Sequence, residues 1–446
     1  MTSSGRHADT GLRLFPFRGV RYVPERVGSL AAVTSPPYDV VVRPDGLLHL
    51  ESADPHNIVR LILPQADTPA ARNERAAATL SDWLRDGILA ADPEAALYVY
   101  EQRNGAVLQR GLIGALALST PEEGVVLPHE DVMADIVADR AALMRTTAVN
   151  FEPLLLTYRS DDGATGTTDA ADTADTADTA DTAGSAGATA VIERTLTGPP
   201  LLATTTEDGF SHRLWAVTDP AEIAEAQADL ADRQALIADG HHRWATYLQL
   251  RGEYPGPGPW GYGLVLLIDT VHYPLQVRAI HRVLRRLPVS EALAALDGAF
   301  RVRTIEALPE ALAALADAAA AGNAFLLAGG GRFHLVDRPS EELLARTVPT
   351  DHPTAWQTLD ATVLHHTLLD KVWSVPDAPE HIAYIHATDA AVEQAERQGG
   401  TAVLMHPVRE EVVRELARQG VTMPRKSTSF GPKPATGLVL RSLTID

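Results

Sequence analysis

Hydrophobic and polar positions alternate along this sequence in short blocks, and the period of each block predicts an element. In the first third, 96–101 and 111–119 read as strands, and 70–85 as a helix closed by Gly87 just past its end. Residues 131–149 put Val132, Ile136, Ala142, Leu143 and Met144 at helical spacing. The middle holds strands at 154–158 and 212–217, a helix at 219–231, a short strand at Leu236 and Ile237, a helix at 241–251 and a buried strand at 262–269. In the last third the pattern predicts helices over 290–300, 308–321, 356–373, 389–398 and 409–419, and strands over 325–327, 333–336, 382–385 and 402–405. Strands and helices interleaved in this way predict a mixed α/β (α+β) fold in layers.

A chain of 446 residues exceeds one ordinary hydrophobic core, so two or three domains are expected. The divisions read from the pattern are an N-terminal α/β region, 1–150, a central region, 151–285, and a C-terminal α/β region, 286–446. Residues 161–190 are almost entirely Ala, Asp, Thr and Gly, with Ala-Asp-Thr repeated between Ala171 and Ala183. With so little to bury, this stretch is expected to be a disordered insertion, either an expanded surface loop or an interdomain linker.

The formal net charge of −20 argues against nucleic acid or an anionic membrane as a partner, while leaving room for an anionic small molecule in a local basic pocket. With no cysteine, disulfides, thiolate metal sites and cysteine nucleophiles are excluded. Residues 1–10 carry no apolar run, and the longest apolar stretch, 263–268, is too short for a bilayer; the expected compartment is the cytoplasm. An oligomer is possible on these grounds.

Four stretches could carry chemistry. In Ala238-Asp239-Gly240-His241-His242-Arg243 an apolar strand stops and a helix begins at once. Helix starts present unpaired N–H groups and partial positive charge, Gly240 removes a side chain where a ligand must come close, and His241, His242 and Arg243 add donors. Asp239 could cap the helix or hold a metal ion. A capped turn with a surface arginine and ordinary histidines is the plain alternative. The second stretch is Pro128-His129-Glu130 with Asp139-Arg140, where His129 and Glu130 could act as a base pair or simply open a helix. The third, Ser35-Pro36-Pro37-Tyr38-Asp39, is followed by His56-Asn57; two prolines make a stiff loop suited to holding a substrate or to connecting elements. The fourth, 423–433, sets Arg425, Lys426 and Lys433 beside Ser427, Thr428 and Ser429, an oxyanion site or a solvated basic loop. No Walker pattern, dinucleotide-binding glycine fingerprint or nucleophile elbow is present.

Taken in order, Pro16-Phe17-Arg18-Gly19, Ser35 to Val40, Pro55 to Leu61, Pro128-His129-Glu130 with Asp139-Arg140, Ala238 to Arg243, His281-Arg282-Val283-Leu284 and Met423-Pro424 through Val439 resemble the bacterial domain-of-unknown-function 1015 family. Trp244 replaces the family's usual Tyr after the arginine. More distantly, the strand–Asp-Gly-His-His-Arg–helix unit is similar to the nucleotide-binding element of the ParB/sulfiredoxin superfamily, which includes kinases for free serine. This resemblance implies phosphate contacts at Gly240, His241, His242 and Arg243; beside it, Arg140, Lys426, Ser427 and Thr428 are expected to add to the phosphate site on their own charge and hydroxyls. It implies a kinase that uses ATP or ADP with Mg²⁺, Asp239 being the candidate metal ligand and catalytic residue. In that reading Glu130, helped by His129, takes the proton of a small hydroxylated metabolite, first of all L-serine. Tyr38, Asp39, His56 and Asn57 would form the substrate loop. Arg243→Ala would then leave a folded, inactive protein. The alternative is a ParB-like switch that binds or hydrolyses nucleotide without phosphorylating a metabolite.

Overall fold

The computed structural model describes residues 11–41, 44–160 and 187–445. Most of the acidic insertion, 161–186, lies outside them. The chain is a mixed α/β protein in two compact units: residues 1–128, 132–275 and 432–446 form the first, and 129–131 with 276–431 the second. The N-terminal and central regions of the sequence reading therefore share one unit, to which the last fifteen residues return. No helix among the described residues is long and apolar enough to cross a membrane.

A nine-stranded sheet organises the first unit. In chain order its strands are β1 (Leu14–Phe15), β2 (Leu97–Asn104), β3 (Val107–Ala117), β4 (Val126–Leu127), β5 (Leu154–Tyr158), β6 (Leu202–Thr205), β7 (Ser211–Val217), β8 (Ala235–Asp239) and β9 (Tyr262–Asp269). They lie side by side in the order β4-β8-β5-β9-β3-β2-β7-β6, with β1 pairing onto β3. Strands β8 and β9 are apolar and buried almost throughout because the sheet is covered on both faces at its centre. Two helices pack against this region, α1 (Ala134–Thr147) and α2 (His241–Glu253), and the Arg145 guanidinium forks onto Glu253 at 2.7–3.0 Å to tie their far ends. A smaller four-stranded sheet joins Leu89–Ala91, Gly19–Tyr22, Leu440–Ser442 and Val149–Asn150, drawing the C-terminus into the N-terminal part.

The second unit is built on a six-stranded sheet of β10 (His281–Leu284), β11 (Arg301–Ile305), β12 (Ala324–Gly329), β13 (Arg332–Asp337), β14 (Ile382–Ile385) and β15 (Thr401–Met405), ordered β11-β13-β12-β15-β10-β14. The single helix expected over 356–373 is instead a short turn at Thr354–Gln357, another at Asp360–Thr362 and a ten-residue π-helix at Val363–Val372.

Candidate functional site

The strand, turn and helix expected around Asp239 are all present, and their local geometry follows from single residues. Strand β8 pairs with β5 through a register shift between Ile237 and Asp239, and Asp239 pairs with Leu155 at the end of the ladder. Gly240 then takes φ 100°, a left-handed turn open to glycine at little cost, and α2 starts at the next residue. Gly240, at the N-cap, has no side chain to cap that first turn. Arg243 curls back one turn: Nη2 donates to Asp239 Oδ2 at 2.6 Å and Nη1 to the Pro153 carbonyl at 2.9 Å, with only 4% of the residue exposed. A Cβ on Gly240 would lie 3.1 Å from that guanidinium. Gly240→Ala is thus expected to destabilise the first unit by about 1–3 kcal/mol through backbone strain and crowding. Urea unfolding checks this, and an unchanged midpoint would contradict it.

Around Arg243 the fold gathers charges from distant parts of the chain. Lys433 Nζ bridges Asp239 Oδ1 at 2.5 Å and Asp39 Oδ2 at 2.9 Å, so both oxygens of Asp239 are committed to cations. Burial opposes the charged form of Lys433, but Asp239 and Asp39 outweigh it and hold the ammonium above its ordinary pKa. Likewise burial works against Arg243, and Glu152, Asp239 and Asp39 more than restore its charge. Asp39 is held below the usual carboxylate range: burial pushes it up, but Lys433 and Arg243 pull harder. Glu152 is buried beneath the cluster, accepting from the Tyr38 amide at 2.9 Å and the Thr436 hydroxyl at 3.2 Å, and burial raises its pKa despite Arg243. Tyr38, raised by burial to about 12, lies under the Arg140 guanidinium, 4.7 Å from its ring centre. Arg140 itself donates to Asp139 and to the Ile62 carbonyl.

Arg140, Glu152, Arg243 and Tyr247 line a cavity of about 30 Å³ together with Ile62, Leu143, Met144, Val149 and Phe151. It has room for water and none for a nucleotide. The parts of the corner with access to solvent are the exposed Asp39, the half-buried Gly240 and the Lys433 side chain, 22% exposed.

The expected site residues separate into two groups. Tyr38, Asp39, Arg140, Asp239, Gly240 and Arg243 come together, joined by Lys433, which the sequence reading placed in a separate candidate oxyanion stretch, and by Glu152, which it did not single out. His242 is turned to a structural use, its Nε2 accepting the Met133 amide at 3.1 Å where α1 begins. His241 is buried at the opening of α2. Asn57 is fully buried, donating to the Ala32 and Thr34 carbonyls and capping the Val59 amide, so it fixes a loop rather than meeting a substrate. His56 pairs with Asp54 at 3.3 Å and packs edge-on to Trp83. His129 and Glu130 fold with the second unit, where His129 is buried against Phe430 and within 3.2 Å of the Thr428 hydroxyl. Lys426 and Ser427 also belong to that unit; the Ser427 hydroxyl donates to the Pro424 carbonyl. Among the described residues no three His, Asp or Glu side chains are grouped to hold a metal ion.

No curated protein matches the sequence. Among solved structures the chain is similar to a free serine kinase in complex with AMP, at 14% identity and TM-score 0.34 over 72% of this chain and 90% of that one. It is similar to a conserved hypothetical protein from Pyrococcus furiosus at 14% identity and TM-score 0.32, over 72% of this chain and 94% of that one. SbnI with C-terminal truncation from Staphylococcus aureus is similar at 8% identity and TM-score 0.34, over 72% and 82%. The sequence matches the family described as "Protein of unknown function (DUF1015)" over residues 14–195 and 182–362, which together span more than half of its length, and the chain belongs to that family.

Proposed function

We propose that this protein binds a nucleotide through its phosphates at the start of α2 and transfers a phosphoryl group to the hydroxyl of a small metabolite, with free L-serine the first acceptor to test. The observation that carries this reading is Lys433. Its ammonium stands beside a helix start whose N-cap is a glycine, and the carboxylate of Asp39, on a proline-stiffened loop, occupies one side of it. A phosphate oxygen makes the same charge-assisted contact as that carboxylate and displaces it. Arg243, locked behind Asp239, supplies fixed positive potential rather than a direct contact. Serine as acceptor follows from the resemblance of the Asp-Gly-His-His-Arg turn.

Once released from Lys433, Asp39 loses the larger of the two cationic pulls that depress its pKa and becomes a base for the acceptor hydroxyl. The hydroxyl oxygen bonds to the terminal phosphorus as the bridging P–O bond breaks; the proton passes to Asp39 and the shortened nucleotide leaves. Glu130 folds with the second unit and is given no role in this assignment. The cluster does not fit Mg²⁺: both oxygens of Asp239 are engaged by cations, and among the described residues it belongs to no group of three ligands. No step is therefore routed through a metal.

Thermal-shift measurements with ATP and ADP, with and without Mg²⁺, test binding; incubation with L-serine and mass detection of phosphoserine tests transfer. Lys433→Gln is expected to weaken nucleotide binding about 10- to 100-fold, the equivalent of one charge-assisted hydrogen bond. Equal binding by Lys433→Gln and the parent would refute the site. Phosphate released only to water would favour the nucleotide-switch reading over the kinase.

A further inference from the structure

Arg282 is among the largest fully buried side chains of the described residues, and its surroundings do not balance its charge. It lies on β10, a strand paired on both sides by β14 and β15. Nη1 donates to the Ile280 carbonyl, Nη2 donates to His365 Nε2 at 3.0 Å, and the guanidinium sits 5.3 Å from the centre of the Tyr384 ring. Nε is buried with no hydrogen-bond partner, and among the described residues no carboxylate reaches the guanidinium as an ion pair. Burial draws its pKa down to about 10, so it remains charged at neutral pH. The anion with the most influence is Asp377, which accepts the Tyr384 hydroxyl at 2.8 Å. Against it, Arg425 adds a second positive field at Tyr384. His281 and His365 are both pushed down to about 4, first by burial and then by Arg282, so they are neutral and compensate nothing.

Buried charges are normally paired, and an arginine fork with an unused N–H matches a planar or tetrahedral oxyanion. A second, independent feature marks the place. His365, the side chain that meets Arg282, stands on the π-helix Val363–Val372, a rare backbone form that appears frequently at functional sites. His365 and Tyr384, which meet the guanidinium, are half-buried, and an anion can reach it only if one of these rings rotates.

We infer that Arg282, His365 and Tyr384 form a binding site for a small oxyanion, the carboxylate or phosphate group of a metabolite. The site lies wholly within the second unit and is independent of the nucleotide reading given above. In it Nε and Nη2 of Arg282 take two oxygens of the anion, and the His365 imidazole turns to donate to one of them.

The test uses the full chain, titrated with sodium phosphate and separately with sodium acetate at constant ionic strength and followed by calorimetry. Saturable binding of one or both is expected, phosphate and acetate identifying which anion class the site takes. Arg282→Gln is expected to weaken it at least tenfold. If Arg282→Gln does not fold, His365→Ala serves, because a half-buried ring can be removed without opening the core. It should weaken anion binding at least fivefold while the unliganded melting temperature stays within a degree or two. ADP binding should be unchanged in both variants, which separates this site from the start of α2. Absence of binding to the parent, or equal anion affinity in parent and His365→Ala, overturns the inference.

Discussion

Replacing Arg243 with methionine is expected to destabilise the first unit by about 3–5 kcal/mol, the usual loss when one member of a buried ion pair is removed and its partner left behind. Asp239, 8% exposed, would keep Lys433 but lose its 2.6 Å contact to the guanidinium, and Glu152 would lose the cation that most favours its charge. The Pro153 carbonyl would be left without its donor. Arg243→Lys should recover part of the loss, since an ammonium can satisfy Asp239 or Pro153 but not both in the fork geometry. A further variant isolates the pair. With Asp239→Asn added to Arg243→Met, the total should fall well short of the sum of the two single losses, because the stranded carboxylate is gone. Urea unfolding followed by tryptophan fluorescence gives these values. A loss below about 1 kcal/mol for Arg243→Met would mean that the network is solvated and that Arg243 is free to meet a ligand, as the sequence alone suggested. The structure thus changes the expected phenotype of this residue from folded and inactive to poorly folded.

That change shows where sequence reasoning reaches and where it stops. The strand–glycine–helix corner was legible because its causes are local: a buried apolar strand, one residue able to take positive φ, and helical spacing from Trp244 onward. The placing of Tyr38, Asp39, Arg140 and Arg243 in meaningful stretches was also legible, since stiff or charged segments in an acidic chain stand out. What Arg243 does was not, because its partners Pro153 and Glu152 are some 90 residues away and Lys433 is 394 residues from Asp39. Periodicity carries no information about such contacts. The same limit hid the single sheet that joins β2 and β3 to β8 and β9 across the expected regional boundary at 150. The residues 356–373 read as one helix because their apolar spacing is helical; spacing does not distinguish a continuous α-helix from short turns followed by a π-helix. Strands of two to four residues, such as Leu14–Phe15 and Gly19–Tyr22, are shorter than any period that could reveal them.

Acid is expected to unfold both units from about pH 6 downward, through His212 in the first and through His281 and His365 in the second. His212 lies between the Tyr100 hydroxyl, 2.8 Å from Nδ1, and the Thr206 hydroxyl, 2.9 Å from Nε2. Burial lowers its pKa to about 4, against a small opposing pull from Asp208. His281 accepts the Met405 amide at Nδ1 and meets the Thr388 hydroxyl at Nε2; burial, Arg282 and His386 also bring it to about 4. In the unfolded chain all three return to about 6.5. Between pH 6.5 and 4 the unfolded state therefore binds protons that the folded state does not, so stability rises with pH across this window and is lost as pH falls through it. Each histidine contributes about 2 kcal/mol of that loss between pH 7 and pH 5, since one pKa unit corresponds to roughly 1.4 kcal/mol. Because the units are separate cores, hydrogen exchange resolves them better than a single melting curve. Protection of β2 and β7 should fall with pH on account of His212, and that of β10 and β15 on account of His281 and His365. His212→Gln should flatten the pH dependence in the first set and leave the second as it was. The assignment fails if the slope in β2 and β7 is the same with and without His212, because the protons taken up on unfolding would then be binding elsewhere.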